Sequence, residues 1–296
     1  MRIRLALAVL ILAVFAPVLQ ADEIRWKFKE GDVFYAQETT EMKMEMSFLG
    51  NNQPMESKTV VISKLTIKKT NPDGSVVLER KIESQKTEAS MPAGVDLDAL
   101  NKKMEGATFT ITLSPKFEVA KIEGYDDFIK RLVGDCDTTG PFLKASLSEE
   151  TIKRSLDELF LFVPGKAVSV GDKWERKSKV PMGPMGSLQT QTNYKYEGKE
   201  GDLDKISYES TLKYEKPKEG DGNAAMPFKL IKGDMKADKA KGVIKFDSAR
   251  GRLSENQASV NLEMKLTVDV NGQEIDMELR QEQKSTFKVS DSKPKE

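Results

Sequence analysis

Histidine is missing from the 296-residue chain. Its absence removes Ser-His and Cys-His nucleophile pairs, the usual zinc ligand and the commonest general base. Cysteine occurs once, as Cys136. No disulfide can therefore form within the chain, and the thiol is either buried or open to pairing between chains. The charges of Asp135 and Asp137 on either side disfavour the thiolate that a reactive cysteine needs. An excess of positive charge is also lacking, since 47 Lys and Arg are set against 47 Asp and Glu and interspersed with them. No basic stripe is present to release counterions from DNA or RNA, so nucleic acid is not an expected partner. No spaced Asp-x-Asp-x-Asp-Gly loop marks a calcium site, and the pairs Asp96 with Asp98 and Asp135 with Asp137 read as loop solvation.

Two Ser-x-x-Lys matches remain, Ser210 to Lys213 and Ser285 to Lys288. Both fall in strand-like stretches, where residues three apart face opposite sides and the lysine cannot reach the serine. The expected protein is non-enzymatic and needs no cofactor.

The N-terminus reads as a signal peptide over residues 1–21. Arg2 and Arg4 supply the positive start, an apolar run extends from Leu5 to Leu19, and Ala21 offers a small residue at the cut. The run is broken by Pro17 and falls short of the ~20 apolar residues a membrane span requires. No cysteine sits at the junction to carry a lipid. The expectation is a periplasmic or secreted protein with no transmembrane anchor after cleavage.

Alternation of apolar and polar residues dominates the chain beyond residue 21, as expected of strands with one dry face. Ile24, Trp26 and Phe28 alternate with charges, and Phe34 and Ala36 share a phase with Met42, Met44, Met46 and Phe48. A turn over residues 50–54 closes that ribbon. Asn71-Pro72-Asp73-Gly74 joins Val61, Leu65 and Ile67 to Val76, Leu78 and Ile82 as a hairpin. Helical spacing replaces alternation over residues 96–104, 126–133 and 146–163. In the last of these, Ser146 and Glu149 form a capping-box pattern. Strands resume through Tyr194 and Tyr196, Tyr208 and Tyr214, and the run from Val260 to Val270, which Asn271-Gly272 turns back toward Phe287. Tyrosine pairs of this kind stack on sugars or apolar ligands, or simply pair across strands. Residues 215–242, rich in lysine and glycine, read as a long loop or lid, and residues 290–296 as a disordered tail.

The fold class that emerges is mainly β with a few helices. It is a large curved antiparallel sheet or half-barrel whose concave face the helices cover, in one β-rich domain over residues 22–289. Gly31-Asp32 and Gly171-Asp172, each followed two residues on by an aromatic, hint at two similar β halves, residues 22–145 and 146–289; shared turn chemistry explains the echo equally well.

Three longer motifs carry a resemblance: Trp-x-Phe-x-x-Gly-Asp-x-Phe-Tyr at residues 26–35, Ser-Pro-x-x-x-Val-x-x-Ile-x-Gly at 114–124, and Phe-Asp-x-x-x-Gly-Arg-Leu at 246–253. In these the chain resembles a family of uncharacterised secreted bacterial β-rich proteins, of the domain-of-unknown-function type. The resemblance implies fold and export, and no activity.

Met42, Met44 and Met46 form the most distinctive local feature. Soft thioethers select Cu(I), so the row suits a Cu(I)-binding carrier; methionines also fill adaptable cores and line apolar cavities. With Phe48, they are the residues expected to line a site for an apolar ligand, a lipid or a lipidated polypeptide, in the cell envelope. The alternative is a structural or protein-interaction module of the envelope that meets its partner through strand edges or through residues 215–242.

Overall fold

The structure is a computed structural model that describes residues 23–48, 51–90, 97–134, 144, 147–182, 186–217, 229–270 and 272–295. The expected signal peptide, Cys136 with its flanking aspartates, and Ser146 lie outside the described residues.

Among the described residues, twelve strands form one open antiparallel sheet. In chain order β1 is Val33–Phe48, β2 Asn51–Thr70, β3 Val76–Ala89, β4 Thr108–Leu113 and β5 Val119–Glu123. The second series is β6 Lys173–Pro181, β7 Ser187–Glu200, β8 Leu203–Glu215, β9 Lys229–Ala237, β10 Ala240–Asp247, β11 Arg252–Val270 and β12 Gln273–Ser290. Between and within the series lie α1 Leu97–Met104, α2 Tyr125–Val133 and α3 Glu149–Phe160. Among the described residues, no helix is long and apolar enough to cross a membrane.

The chain begins at the middle of the sheet, steps outward from β1 to β5, and crosses through α2 and α3 to the opposite edge at β6. It then steps back until β12 pairs with β1. Helix α3 packs against both edges, β5 and β6. It also satisfies backbone groups of the β5 edge: the Val119 amide donates to Asp157 Oδ1 at 2.6 Å, and Lys153 Nζ donates to the Ala120 carbonyl at 3.2 Å. An edge strand covered in this way no longer offers a template for pairing with another chain.

Phe34 and Ala36 on β1 are buried, and their cross-strand neighbours Leu65 and Ser63 share that face. This inner face carries the core. At one end of the sheet, here called proximal, it is closed by α2 through Phe128, Ile129 and Leu132, by α3 through Leu156 and Phe160, and by residues 24–28. Trp26 anchors the closure. Its ring lies 5.3 Å from Phe28 and Phe246, 5.5 Å from Phe162 and 5.6 Å from Phe160, and its indole N–H donates to the Phe160 carbonyl at 2.8 Å. Burying a large apolar side chain contributes about 1.5–3 kcal/mol, so a cluster of this size is a major stabilising element.

The three resemblance motifs meet at this closure. The Lys27 amide donates to the Gly251 carbonyl at 2.8 Å, Phe28 stacks edge-on against Phe117, and the Arg252 guanidinium sits 5.6 Å from the Phe34 ring. Gly251, at φ +63°, is pressed so close to Lys27 that an added Cβ would stand 2.3 Å from the Lys27 Cβ. The Gly-Asp echoes adopt the same turn. The Gly31 amide donates to Ile67 O and the Ile67 amide to Asp32 O; likewise the Gly171 amide donates to Tyr196 O and the Tyr196 amide to Asp172 O.

Several expectations are corrected. Residues 215–242 are not one long loop: β9 and the start of β10 lie within them and run in line along β11, with β10 beside Arg252 to Ser259 and β9 beside Leu262 to Asp269. Asn51 to Pro54, expected in the turn of the first ribbon, already belong to β2 and pair with Phe48 back to Glu45. The cap of α3 is Ser148, whose hydroxyl accepts from the Thr151 amide. Ser290 closes β12, and Asp291 is held by Arg250 and Arg252, so the expected tail is anchored at its start.

Candidate functional site

Strand β1 pairs without a register shift along its length, so the face that buries Phe34 is also the face of Met42, Met44 and Met46. All three are half-buried. The backbone of Phe48 continues the row opposite Met277 and Asn51; its side chain is outside the described residues.

Reading across the strands shows the inner face to be layered. Beyond the core comes a belt of small and hydroxyl side chains: Thr40 stands opposite Thr59 and Ser285, Thr59 opposite Thr87, and Ser285 opposite Ala258. Thr59 and Thr87 share a hydrogen bond of 3.2 Å, and Thr192 and Ser210 one of 2.8 Å on the other wall. Past the belt the face turns apolar again. Met44 faces Met55, and Met46 faces Leu279, which faces Met264, which faces Met235. At the far end Leu266, Val268 and Ile275 form a second small buried cluster, with Met264, Met277 and Leu230 packed against it. Polar side chains interrupt this distal layer on both neighbours of β1: on β2 Ser57 faces Met42 and Gln53 faces Met46, and on β12 Gln281 and Gln283 bond to each other at 2.9 Å.

Two glycines shape the wall. A Cβ on Gly242 would stand 2.4 Å from Tyr208 Cζ, and one on Gly233 2.7 Å from Tyr214 Cε1, so both rings lie across bare backbone. The Tyr208 hydroxyl donates to Asn256 Oδ1 at 3.1 Å, and burial pushes its pKa up to about 12. Burial likewise raises Tyr194. Neither phenol is ionised at neutral pH.

Charged side chains also stand on this face: Asp204, opposite Phe246, is fully buried, and Glu38 shares the phase of Phe34 and Ala36. Arg80 on β3 is level with Phe34 and Leu65. Its guanidinium reaches toward the distal half, where Nε donates to Ser63 Oγ at 3.1 Å and Nη2 lies 3.7 Å from Glu38 Oε2. The Arg80 side chain is 19% exposed. Burial lowers its pKa and Glu38 opposes the shift; an arginine so placed stays charged.

The proximal core is filled. The pocket among Trp26, Phe34, Leu65, Phe160 and Phe287 holds about 40 Å³, little more than the ≈ 30 Å³ share of one water. This pocket is too small to be the cavity expected from the curvature. Larger space is open and distal: a groove of about 680 Å³ is lined by Met44, Met55 and Leu262 together with outward-facing Lys43, Glu45 and Arg280.

Sequence reading placed the methionine row on the core-bearing face and left its partners unidentified, because register across strands is not written in one strand. The Ser-x-x-Lys serines and lysines do lie on opposite faces: Ser210 is buried and Lys213 exposed, and Ser285 is half-buried while Lys288 is exposed.

A family of unknown function matches residues 36–251 of the chain. No curated protein matches. Among solved structures, lipovitellin, from work on its lipid-protein interactions, is similar at 12% identity and a TM-score of 0.45, covering 91% of this chain; the chain spans about a quarter (26%) of that protein's length. A DUF1329 family protein from Desulfovibrio piger is similar at 11% identity and a TM-score of 0.16, over 86% of this chain and 83% of its own. The outer membrane protein OprG from Pseudomonas aeruginosa is similar at 9% identity and a TM-score of 0.20, over 91% of this chain and 99% of its own.

Proposed function

The chain belongs to that family, DUF6263, and from this premise we propose that it is a non-enzymatic binding protein for an apolar ligand, a lipid or a lipidated polypeptide, in the cell envelope. The observation that supports this reading is the distal inner face. Met44, Met46, Met55, Leu262 and Leu279 are half-buried on one face, separated from the packed core by a hydroxyl belt. A layer that existed for stability alone would be expected to close on itself as the proximal end does, because burial of apolar area is what stabilises. Methionine suits the surface of a site that must accommodate more than one chain conformation, since the thioether is flexible and polarizable. Extended patches of this kind on soluble proteins mark binding sites.

Native mass spectrometry of protein purified gently and without detergent tests the proposal. A lipid-sized adduct is expected on the wild type and should be lost from Met44→Glu, with circular dichroism unchanged. A wild type free of any adduct, whose interior is shown to be fully packed, overturns it.

A further inference from the structure

We infer that the ligand is an anionic single-chain amphiphile, a fatty carboxylate, whose head is held by Arg80 while its chain lies along the methionine row. The inference rests on the proposed binding function and specifies its chemistry.

A guanidinium carries five N–H donors in a planar fork. That of Arg80 makes one hydrogen bond, to Ser63 Oγ, and approaches Glu38 only to 3.7 Å, beyond hydrogen-bonding length. Most of its donors therefore have no protein acceptor among the described residues. The side chain keeps 19% of its surface open, so these free donors are reachable from outside, and a carboxylate meets the fork with two parallel hydrogen bonds. The surroundings set the charge of the guest. Glu38 already stands beside the guanidinium, so a single negative charge is tolerated better there than a dianionic phosphate.

The order of chemistry along β1 fits the same guest. From Glu38 the inner face runs through Thr40 in the hydroxyl belt to Met42, Met44 and Met46. Eight residues of strand at about 3.3 Å each place Met46 about 26 Å from Glu38. Charge, hydroxyl and apolar layers follow one another as do the head and chain of a fatty acid. A neutral lipid would satisfy the far layers and leave Arg80 as it is.

The test compares oleate with oleyl alcohol, which has the same chain and no charge, and with oleoyl lysophosphatidate, on delipidated full-length mature protein by isothermal titration at neutral pH. Oleate should bind about tenfold more tightly than oleyl alcohol, the ratio that one charge-assisted hydrogen bond provides. Arg80→Met should erase that ratio while leaving oleyl alcohol binding unchanged, and Arg80→Lys should keep part of it. Glu38→Gln should tighten oleate several-fold by removing the neighbouring negative charge, an effect that a purely structural ion pair does not predict. Equal binding of oleate and oleyl alcohol by the wild type overturns the inference and leaves the binding function intact; binding of neither overturns both. Tighter binding of the lysophosphatidate than of oleate overturns the choice of carboxylate. Should Arg80→Met fail to fold, an oleate affinity unchanged in Glu38→Gln is the overturning result.

Discussion

Two ends of one face are built from the same strands and meet different fates. At the proximal end Phe34 is 7% exposed and touches a filled core; on the same strand and the same side, Met42, Met44 and Met46 stay half-buried. Alternation is equally regular at both ends, so it does not explain the contrast. The cover does. Residues 24–28, α2 and α3 pack over the proximal end and bring the aromatic rings that fill it. Period-two patterning assigns a side chain to a face, and another segment decides whether that face is dry. The resemblance motifs cluster at the covered end, around Trp26, Lys27, Phe117 and Gly251. What they secure is closure of the core, and the distal methionine layer proposed to bind a ligand stands apart from them.

The comparison can be broken most strongly at Trp26. Trp26→Ala removes four ring contacts and an indole hydrogen bond and should cost about 3–5 kcal/mol in urea unfolding; a loss below about 1 kcal/mol would mean that the proximal cover is not what seals the core.

Gly242→Ala comes next. Its Cβ would meet the Tyr208 ring and the Gln257 carbonyl at 2.4 and 2.3 Å, and the overpacking should cost about 1–3 kcal/mol, with Tyr208 fluorescence altered. An unperturbed variant would show that the ring does not need bare backbone beneath it.

The smallest effect is a pH dependence at the edge clamp. Burial is the larger influence on Asp157 and pushes its carboxyl above the usual 3.8, against the Val119 hydrogen bond that pulls it down. A carboxyl that titrates higher when folded holds more protons in the folded state. Its contribution to stability is therefore greatest below its ordinary value and declines as pH rises through the raised one. Asp157→Asn keeps an acceptor for Val119 and does not titrate. Its stability relative to wild type should climb as pH rises from below the usual carboxylate value through the acidic range in urea melts; a constant difference would show that Asp157 does not titrate abnormally.

Much of this architecture was legible in the sequence. The strands, the three helices and the shared phase of Phe34 with Met42, Met44 and Met46 follow from spacing alone. The strand β9 was missed because its inward positions include Gly233 and Ala237, which look like loop residues until Tyr214 is seen to lie across Gly233. The cap of α3 was misplaced by two residues because Ser146 and Ser148 offer the same chemistry and only geometry separates them. Arg80 was visible in principle, as the one charge in phase with Val76, Leu78 and Ile82, yet nothing local says that its guanidinium turns toward Ser63 and Glu38. Facing partners such as Met44 with Met55 depend on register, which neighbouring strands decide together.

The seam at the middle of the sheet has a kinetic consequence. Tyr35 pairs with Ser290 and Phe48 with Met277, so β1 must wait for β12, synthesised more than 200 residues later, before it gains its second neighbour. Contacts of such sequence separation form slowly, because loop closure precedes any reward. Until β12 arrives, β1 can exist only as the exposed margin of a partial sheet, a stage at which intermolecular pairing competes with completion.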